Sequence, residues 1–437
     1  MAAYDLVVIG NGSAGDNIAR TLARQGKQVA VVERARLGGE CLNDGCIPSK
    51  ALVSLAASAA RDGLSWDDVI ARVHSVQLLV RGNDPDGGMN ADGIDLYRAN
   101  ARVKAPGVVL AGSDVLEAPE IVVATGTSPA IPPVPGLADA KPITNREVFH
   151  LPALPPRIAV IGAGPIGLEL GQALHRLGSS VTMFEALPAI ASTEDEQVSL
   201  ELTRLLQAEG IRLVTDADLQ SVVRDEGGKV VVTTAAGRQV FDEVLVAAGR
   251  APVIPDGLEE LGVERDRRGF ISIDGCGRTS VDTVWAAGDI TGKFQFTHYA
   301  AYQAHHIAKH LGGGACAPIP DTIVPWAVFT DPEIGHVGMT EAEARAAGYE
   351  VRVGVLKAGE LDWFRTVGRP AGFAKVIANA ADGRLLGVHF LCANGSTLAG
   401  EASLALTHGL TARDVASTIH PYPTAGELFR WACASAV

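Results

Sequence analysis

The stretch Gly38–Lys50 reads GGECLNDGCIPSK and sets Cys41 and Cys46 with four residues between them. On a helical turn opened by Gly38-Gly39, such a pair can close a disulfide, which stores two electrons when reduced. Zinc is the competing chemistry, but it usually takes a tighter pair together with a second pair of ligands. No second Cys/His pair of that kind stands in the sequence. A buried, inert pair is the other alternative. Six cysteines in 437 residues are not a disulfide scaffold. Cys276, Cys316 and Cys392 lack partner spacing and read as small packing or surface residues. Cys433, in WACASAV, reads as a tail residue, with an accessory thiol as the alternative.

Two segments then look alike. LVVIGNGSAGDNIARTLARQGKQVAVVE runs from Leu6 to Glu33, and IAVIGAGPIGLELGQALHRLGSSVTMFE from Ile158 to Glu185. Each reads as strand, Gly-rich turn, amphipathic helix and second strand closed by Glu, the dinucleotide fingerprint in duplicate. Gly10 permits the tight turn, Gly12 lets backbone approach a pyrophosphate, and Gly15 allows the helix to close on the strand. Helix N–H groups meet the phosphates, and Glu33 accepts from ribose hydroxyls. Gly162, Gly164, Gly167 and Glu185 take the same roles in the second copy. A carboxylate at Glu185, followed by Ala186, Leu187 and Pro188, favours a free 2′-hydroxyl and hence NADH over NADPH.

The remaining pattern organises these units. A helical region covers about 49–80, a β-rich stretch follows to about 134, and PPVPG and LPALPP read as linkers. Alternating apolar residues in 230–247 suggest a meander and a closing strand, and from about 321 mixed strands and helices read as a third domain. The composition is 47% apolar and 20% charged, enough to bury large cores. A net charge of −13 without a dense basic run argues against nucleic-acid and anionic-membrane partners. No run approaches the roughly 18 apolar residues of a membrane span. The chain enters a strand at Tyr4–Ile9 without a basic leader, so a cytoplasmic location is expected. His305, His306 and His310 read as a helix face, and no metal ligand is assigned.

Together these motifs resemble the FAD-dependent class I pyridine nucleotide–disulfide oxidoreductases, the family of dihydrolipoamide dehydrogenase, glutathione reductase and mercuric reductase. ATGTSPAIPPVPG (124–136), VWAAGDITG (284–292) and VFTDPEIGHVGMTEAEA (328–344) extend the resemblance over the whole chain. It implies an α/β fold with two Rossmann-like domains, for FAD (1–150 and 271–320) and NAD(P) (151–270), and a C-terminal α+β dimerisation domain (321–437). It implies that Cys41 is the interchange thiol and that Cys46 forms a charge-transfer thiolate against the flavin. Lys50 and Glu169 would pair near the flavin edge, Asp289 would bond the ribityl chain, and His298 would lie near the isoalloxazine. Gly126 and Gly249 fall among the cofactor-binding positions. A homodimer is implied, each active site borrowing residues from the partner, with a small-molecule or protein-bound disulfide or thiol as acceptor.

The C-terminal motif departs from the pattern. Disulfide-reducing members carry a His before Pro-Thr and a Glu three residues beyond, a general acid–base pair. Here the stretch 418–427 is TIHPYPTAGE, so Tyr422 takes the base position and Glu427 is retained. Tyrosine, with a pKa about 10, is a poor base at neutral pH. His420 could substitute, although residues two apart on extended chain differ in position by about 6–7 Å. Tyr422 is similar to what mercuric reductases and soluble flavin transhydrogenases carry. Mercuric reductases add an adjacent cysteine pair near the C-terminus, where this chain has Cys433 alone. The expectation is therefore an NAD(P)H oxidoreductase using Cys41–Cys46 on a disulfide, soft-metal or quinone-like acceptor. The alternatives are dihydrolipoyl dehydrogenase proper, a mercuric-reductase-like enzyme, or a flavin transhydrogenase or diaphase. Glu40, where Thr is common, would raise the thiol's pKa if it pointed inward.

Overall fold

The computed structural model describes residues 2–82 and 87–437. Two parallel sheets grow from the two fingerprint segments. The first orders its strands Val284–Ala286, Glu120–Val123, Leu6–Ile9, Val29–Val32 and Ile94–Tyr97, all parallel. The second orders Arg212–Val214, Ser180–Phe184, Arg157–Ile161 and Glu243–Val246. Leu6–Ile9 and Val29–Val32 are buried at every position. That is why they read as unbroken apolar runs: a parallel sheet is covered on both faces.

The two turns close in the same way. Gly10 has φ 100° and Gly162 φ 101°. A Cβ on Gly10 would stand 2.5 Å from the Ala124 carbonyl oxygen, and one on Gly162 2.5 Å from that of Ala247. Only glycine lets the turn pass so close to the neighbouring strand end.

Helices Cys46–Ala56, Ala59–Asp62 and Trp66–Arg81 occupy the expected helical region. Strands Val230–Thr234 and Gly237–Phe241 form the meander with Leu219–Arg224, and Glu243–Val246 closes the second parallel sheet. Helix Thr297–Leu311 packs against Ser13–Arg24 and returns the chain to the first sheet. Beyond it, Trp326–Val328, Glu333–Gly338, Leu385–Cys392, Phe373–Asn379 and Val351–Lys357 form an antiparallel sheet. Its core includes Phe364, Phe390, Leu428 and Phe429. Among the described residues, no helix is long and apolar enough to cross a membrane.

One expectation is corrected. Cys276 and Cys316, read as unpaired, form a disulfide across 40 residues. The backbone brings them together where the Ile319 amide donates to the Gly275 carbonyl at 2.7 Å, a contact that sequence spacing does not reveal. Cys392 and Cys433 are free and buried. A loop of this length constrains the unfolded chain by roughly 3–4 kcal/mol. Cys316→Ser is therefore expected to lower unfolding stability by about that amount in denaturant titrations without reductant. Equal stability of variant and parent would contradict it.

Candidate active site

The two thiols sit where one helix is cut into two. Gly39–Asn43 carries Cys41, Asp44 and Gly45 break the helix, and Cys46 begins Cys46–Ala56. Gly45 permits the break: a Cβ there would stand 2.9 Å from the Glu40 carbonyl oxygen and 3.2 Å from the Cys41 Cα. Cys46 thereby gains a helix N-terminus, which favours a thiolate. Both cysteines are free thiols and half-buried.

Their environments push them apart. Cys46 is lowered to about 6, chiefly by the hydrogen bond it receives from the Cys41 thiol. Burial opposes this, while Thr297 and the Lys50 charge assist it. Thr297 Oγ1 lies 3.3 Å from Cys46 Sγ. Cys41 is pushed far up, first by sharing its hydrogen with Cys46 and then by burial. At neutral pH the site thus holds one thiolate and one thiol.

Lys50, one turn along the same helix, pairs with Glu169 at 2.7 Å. Its ammonium also stands 4.5 Å from the Phe329 ring centroid. Glu40 does not confront the thiols as an unpaired charge: Arg250 and Asn145 hold its carboxylate.

A cavity of about 590 Å³ joins the first fingerprint to Cys41, with Gly12, Glu33, Asp289 and Thr297 also on its wall. Its size suits a cofactor. Glu33 accepts from the Asn11 and Ala35 amides at 2.8 and 2.7 Å. Glu185 repeats this with Ala163 and Leu187 at 2.7 and 3.0 Å. A Cβ at Gly126, Gly164 or Gly249 would meet nothing within 4 Å, so backbone is open to a ligand at each. Asp289 is bonded by Thr127 Oγ1 at 3.2 Å, and burial raises its pKa against the nearby Arg250 charge. These features fit a long dinucleotide with its phosphates at Gly12 and its far end toward Cys41 and Thr297.

Some residues singled out in the sequence lie elsewhere. His298 is exposed, with Nε2 2.7 Å from the Pro325 carbonyl; its neighbour Thr297 faces Cys46. Tyr422, His420 and Glu427 lie on the C-terminal segment and do not border this cavity. Tyr422 is 70% exposed and donates to Asp362 at 3.0 Å, which raises its pKa further from a base's range. His420 Nε2 meets Glu401 at 2.8 Å. Glu427 accepts from the Thr424 amide at 3.4 Å. Sequence reading passed over Thr297, Thr127 and Arg250. The first lies beside His298 in the stretch FTHYAAYQA (296–304) and the others beside Gly126 and Gly249, so motif position was their available signal.

Fold and site define a dinucleotide-dependent dithiol oxidoreductase. Residues 4–304 match the family model described as pyridine nucleotide-disulphide oxidoreductase, and 324–433 match its dimerisation domain. The chain is 35% identical to a dihydrolipoyl dehydrogenase of Thermus scotoductus, covering 98% of this chain and 96% of that one. It is 32% identical to a mercuric reductase of Lysinibacillus sphaericus over 97% and 81%. An HOCl-induced flavoprotein disulfide reductase of Escherichia coli superposes with TM-score 0.91 at 28% identity, over 98% and 99% of the two chains. The chain belongs to the pyridine nucleotide–disulphide oxidoreductases, class I, enzymes that depend on FAD and use NAD(P)H.

In the reduced protein, thiolate ultraviolet absorbance is expected to appear as pH rises through about 6 and to be absent from Cys46→Ser in that range. Lys50→Met removes the attracting charge, so its midpoint should move up by roughly one pH unit. A midpoint unchanged by Lys50→Met would contradict the electrostatic account.

Proposed function

We propose that Cys41 and Cys46 are the redox-active pair of an NADH-dependent reductase. The observation that carries this reading is a low-pKa thiol, Cys46, at a helix N-terminus, hydrogen-bonded to a partner, Cys41, that stands on the wall of the dinucleotide cavity. Bound FAD supplies a two-electron carrier between nicotinamide and disulfide. The first fingerprint, with Gly10, Gly12, Gly15 and Glu33, holds it, and Gly126 and Asp289 border its far part. The second, with Gly162, Gly164, Gly167 and Glu185, holds NADH, and Gly249 lies at the neighbouring strand end.

Cys41 is the interchange thiol and Cys46 the thiolate kept inside. The acceptor is a disulfide or another thiol-reactive species, a soft metal ion or quinone-like molecule among them. When Cys41 attacks an external disulfide, its thiol hydrogen is taken up by a base, and the sulfur that leaves with an electron pair receives a proton in return. Re-forming Cys41–Cys46 then releases the second sulfur, so two electrons pass to the acceptor. Lys50 and Glu169 fix the inner thiolate's surroundings.

Ile419, 93% exposed, and Tyr422 lie on a surface that a second copy would cover. In such a homodimer the C-terminal segment brings Tyr422, His420 and Glu427 to the other copy's thiols. His420 is then the better proton carrier, since Tyr422 is held protonated by Asp362. The acidic surface and the thiol chemistry suit the cytoplasm.

Anaerobic titration is expected to consume about two NADH per chain to full reduction, one for the thiol pair and one for the flavin. Cys46→Ser should consume about one. Uptake of only one by the wild type removes the thiols from the electron path. Reoxidation by lipoamide, mercuric ion or a quinone, tried in turn, identifies the acceptor class. NADH should be preferred over NADPH by roughly tenfold or more in KM, and Glu185→Ala should narrow the gap.

A further inference from the structure

A second cluster of chemically capable side chains lies in the C-terminal sheet. Trp326, His336, His389 and Lys375 are successive cross-strand partners across four strands. Residues directly opposite share a face, and Glu194 and Asp195, preceding helix Glu196–Glu209, close over that face. His336 and His389 are 1% and 0% exposed. The Trp326 ring stacks on His336 at 3.4 Å, and the two imidazoles meet edge to face at 4.5 Å.

The hydrogen bonds leave one buried nitrogen of this cluster without a partner. His336 Nε2 lies 2.9 Å from the Gly338 carbonyl, and His389 Nε2 3.0 Å from that of Met339. A carbonyl only accepts, so each Nε2 carries a hydrogen, and in a neutral ring each Nδ1 presents a lone pair. His389 Nδ1 is buried without a hydrogen-bond partner. His336 Nδ1 faces Glu194 Oε2 at 2.9 Å, one acceptor against another in the neutral ring. Glu194 Oε1 already accepts from Trp326 Nε1 at 2.7 Å. Lys375 is directed to Asp195 and Glu341, each at 2.8 Å. A proton on His336 Nδ1 would satisfy that nitrogen and Glu194 but leave His389 Nδ1 orphaned, which is costly inside a protein.

We propose that Glu194, His336 and His389 bind a divalent cation of the zinc type, joining the second parallel-sheet unit to the C-terminal sheet. Their ligating atoms lie within 4.8 Å of one another. Zinc holds nitrogen at about 2.0–2.1 Å in a tetrahedron, so donors roughly 3.3 Å apart are required. Binding therefore requires the two rings and the carboxylate to draw together by up to about 1.5 Å. Two imidazoles and one carboxylate form a zinc donor set with a fourth position for water. Both Nε2–H groups already rest on backbone carbonyls, the outer contacts that orient metal-binding histidines. The site shares no residue with the Cys41–Cys46 pair, and His336 follows Glu194 by 142 positions in the sequence.

The test uses the full-length, FAD-loaded chain carrying Cys41→Ser and Cys46→Ser, so that the active-site thiols cannot hold the ion. After chelator treatment and dialysis against Zn²⁺, about one zinc per chain should be retained, with a raised melting temperature. Glu194→Gln and His389→Gln in the same background should each weaken zinc binding at least tenfold. Far-UV circular dichroism verifies their fold. Co²⁺ in place of zinc should give visible bands that His389→Gln abolishes. No zinc retained by the folded chain, or zinc and cobalt spectra indifferent to His389→Gln, would overturn the proposal.

Discussion

One buried carboxylate ties the thiol helix to the other two parts of the molecule. Glu169, 5% exposed, lies on the helix that follows the second fingerprint. One oxygen accepts from Lys50 at 2.7 Å, on the helix that begins with Cys46. The other accepts from the Phe329 amide at 2.9 Å, just beyond the first strand of the C-terminal sheet. Removing one partner of a fully buried pair costs about 3–5 kcal/mol. The Lys50 side chain is 35% exposed, so solvent screening places this pair below that range. Its importance is geometric. The ammonium is held by Glu169 and packed on Phe329, close enough to favour the Cys46 thiolate, while Glu169 itself opposes that thiolate.

The division of labour between two chemically identical side chains follows from the broken helix. Without Gly45, the segments carrying Cys41 and Cys46 could not approach so closely. Once they do, one thiol must donate to the other. The helix N-terminus, Thr297 and Lys50 all favour the negative form at Cys46, so Cys41 retains the hydrogen. The asymmetry on which thiol exchange depends, one thiol beside one thiolate, is present before any acceptor arrives.

What could be read from sequence is what is local. Strand, turn, helix and closing acid lie within 28 residues in each fingerprint, and both copies fold alike down to the amides their glutamates accept. Cys41 and Cys46 were visible for the same reason. Contacts made by the folded chain were not. The Cys276–Cys316 disulfide depends on a loop return, and Thr297 rather than its neighbour His298 faces the thiol because of how one helix docks. Glu194, His336 and His389 belong to three distant segments, so no spacing rule could gather them. Tyr422 was singled out as a departure in the sequence; in the folded chain it is exposed and donates to Asp362.

The claim that electrons leave through Cys41 and Cys46 is tested most directly by alkylating the FAD-loaded enzyme with iodoacetamide, anaerobically, before and after NADH, and mapping the modified peptides. The account predicts that in enzyme first air-oxidised so that Cys41 and Cys46 form a disulfide, the peptide containing them is labelled only after NADH, with turnover lost in step. Equal labelling without NADH, or full turnover after alkylation of both thiols, would contradict it.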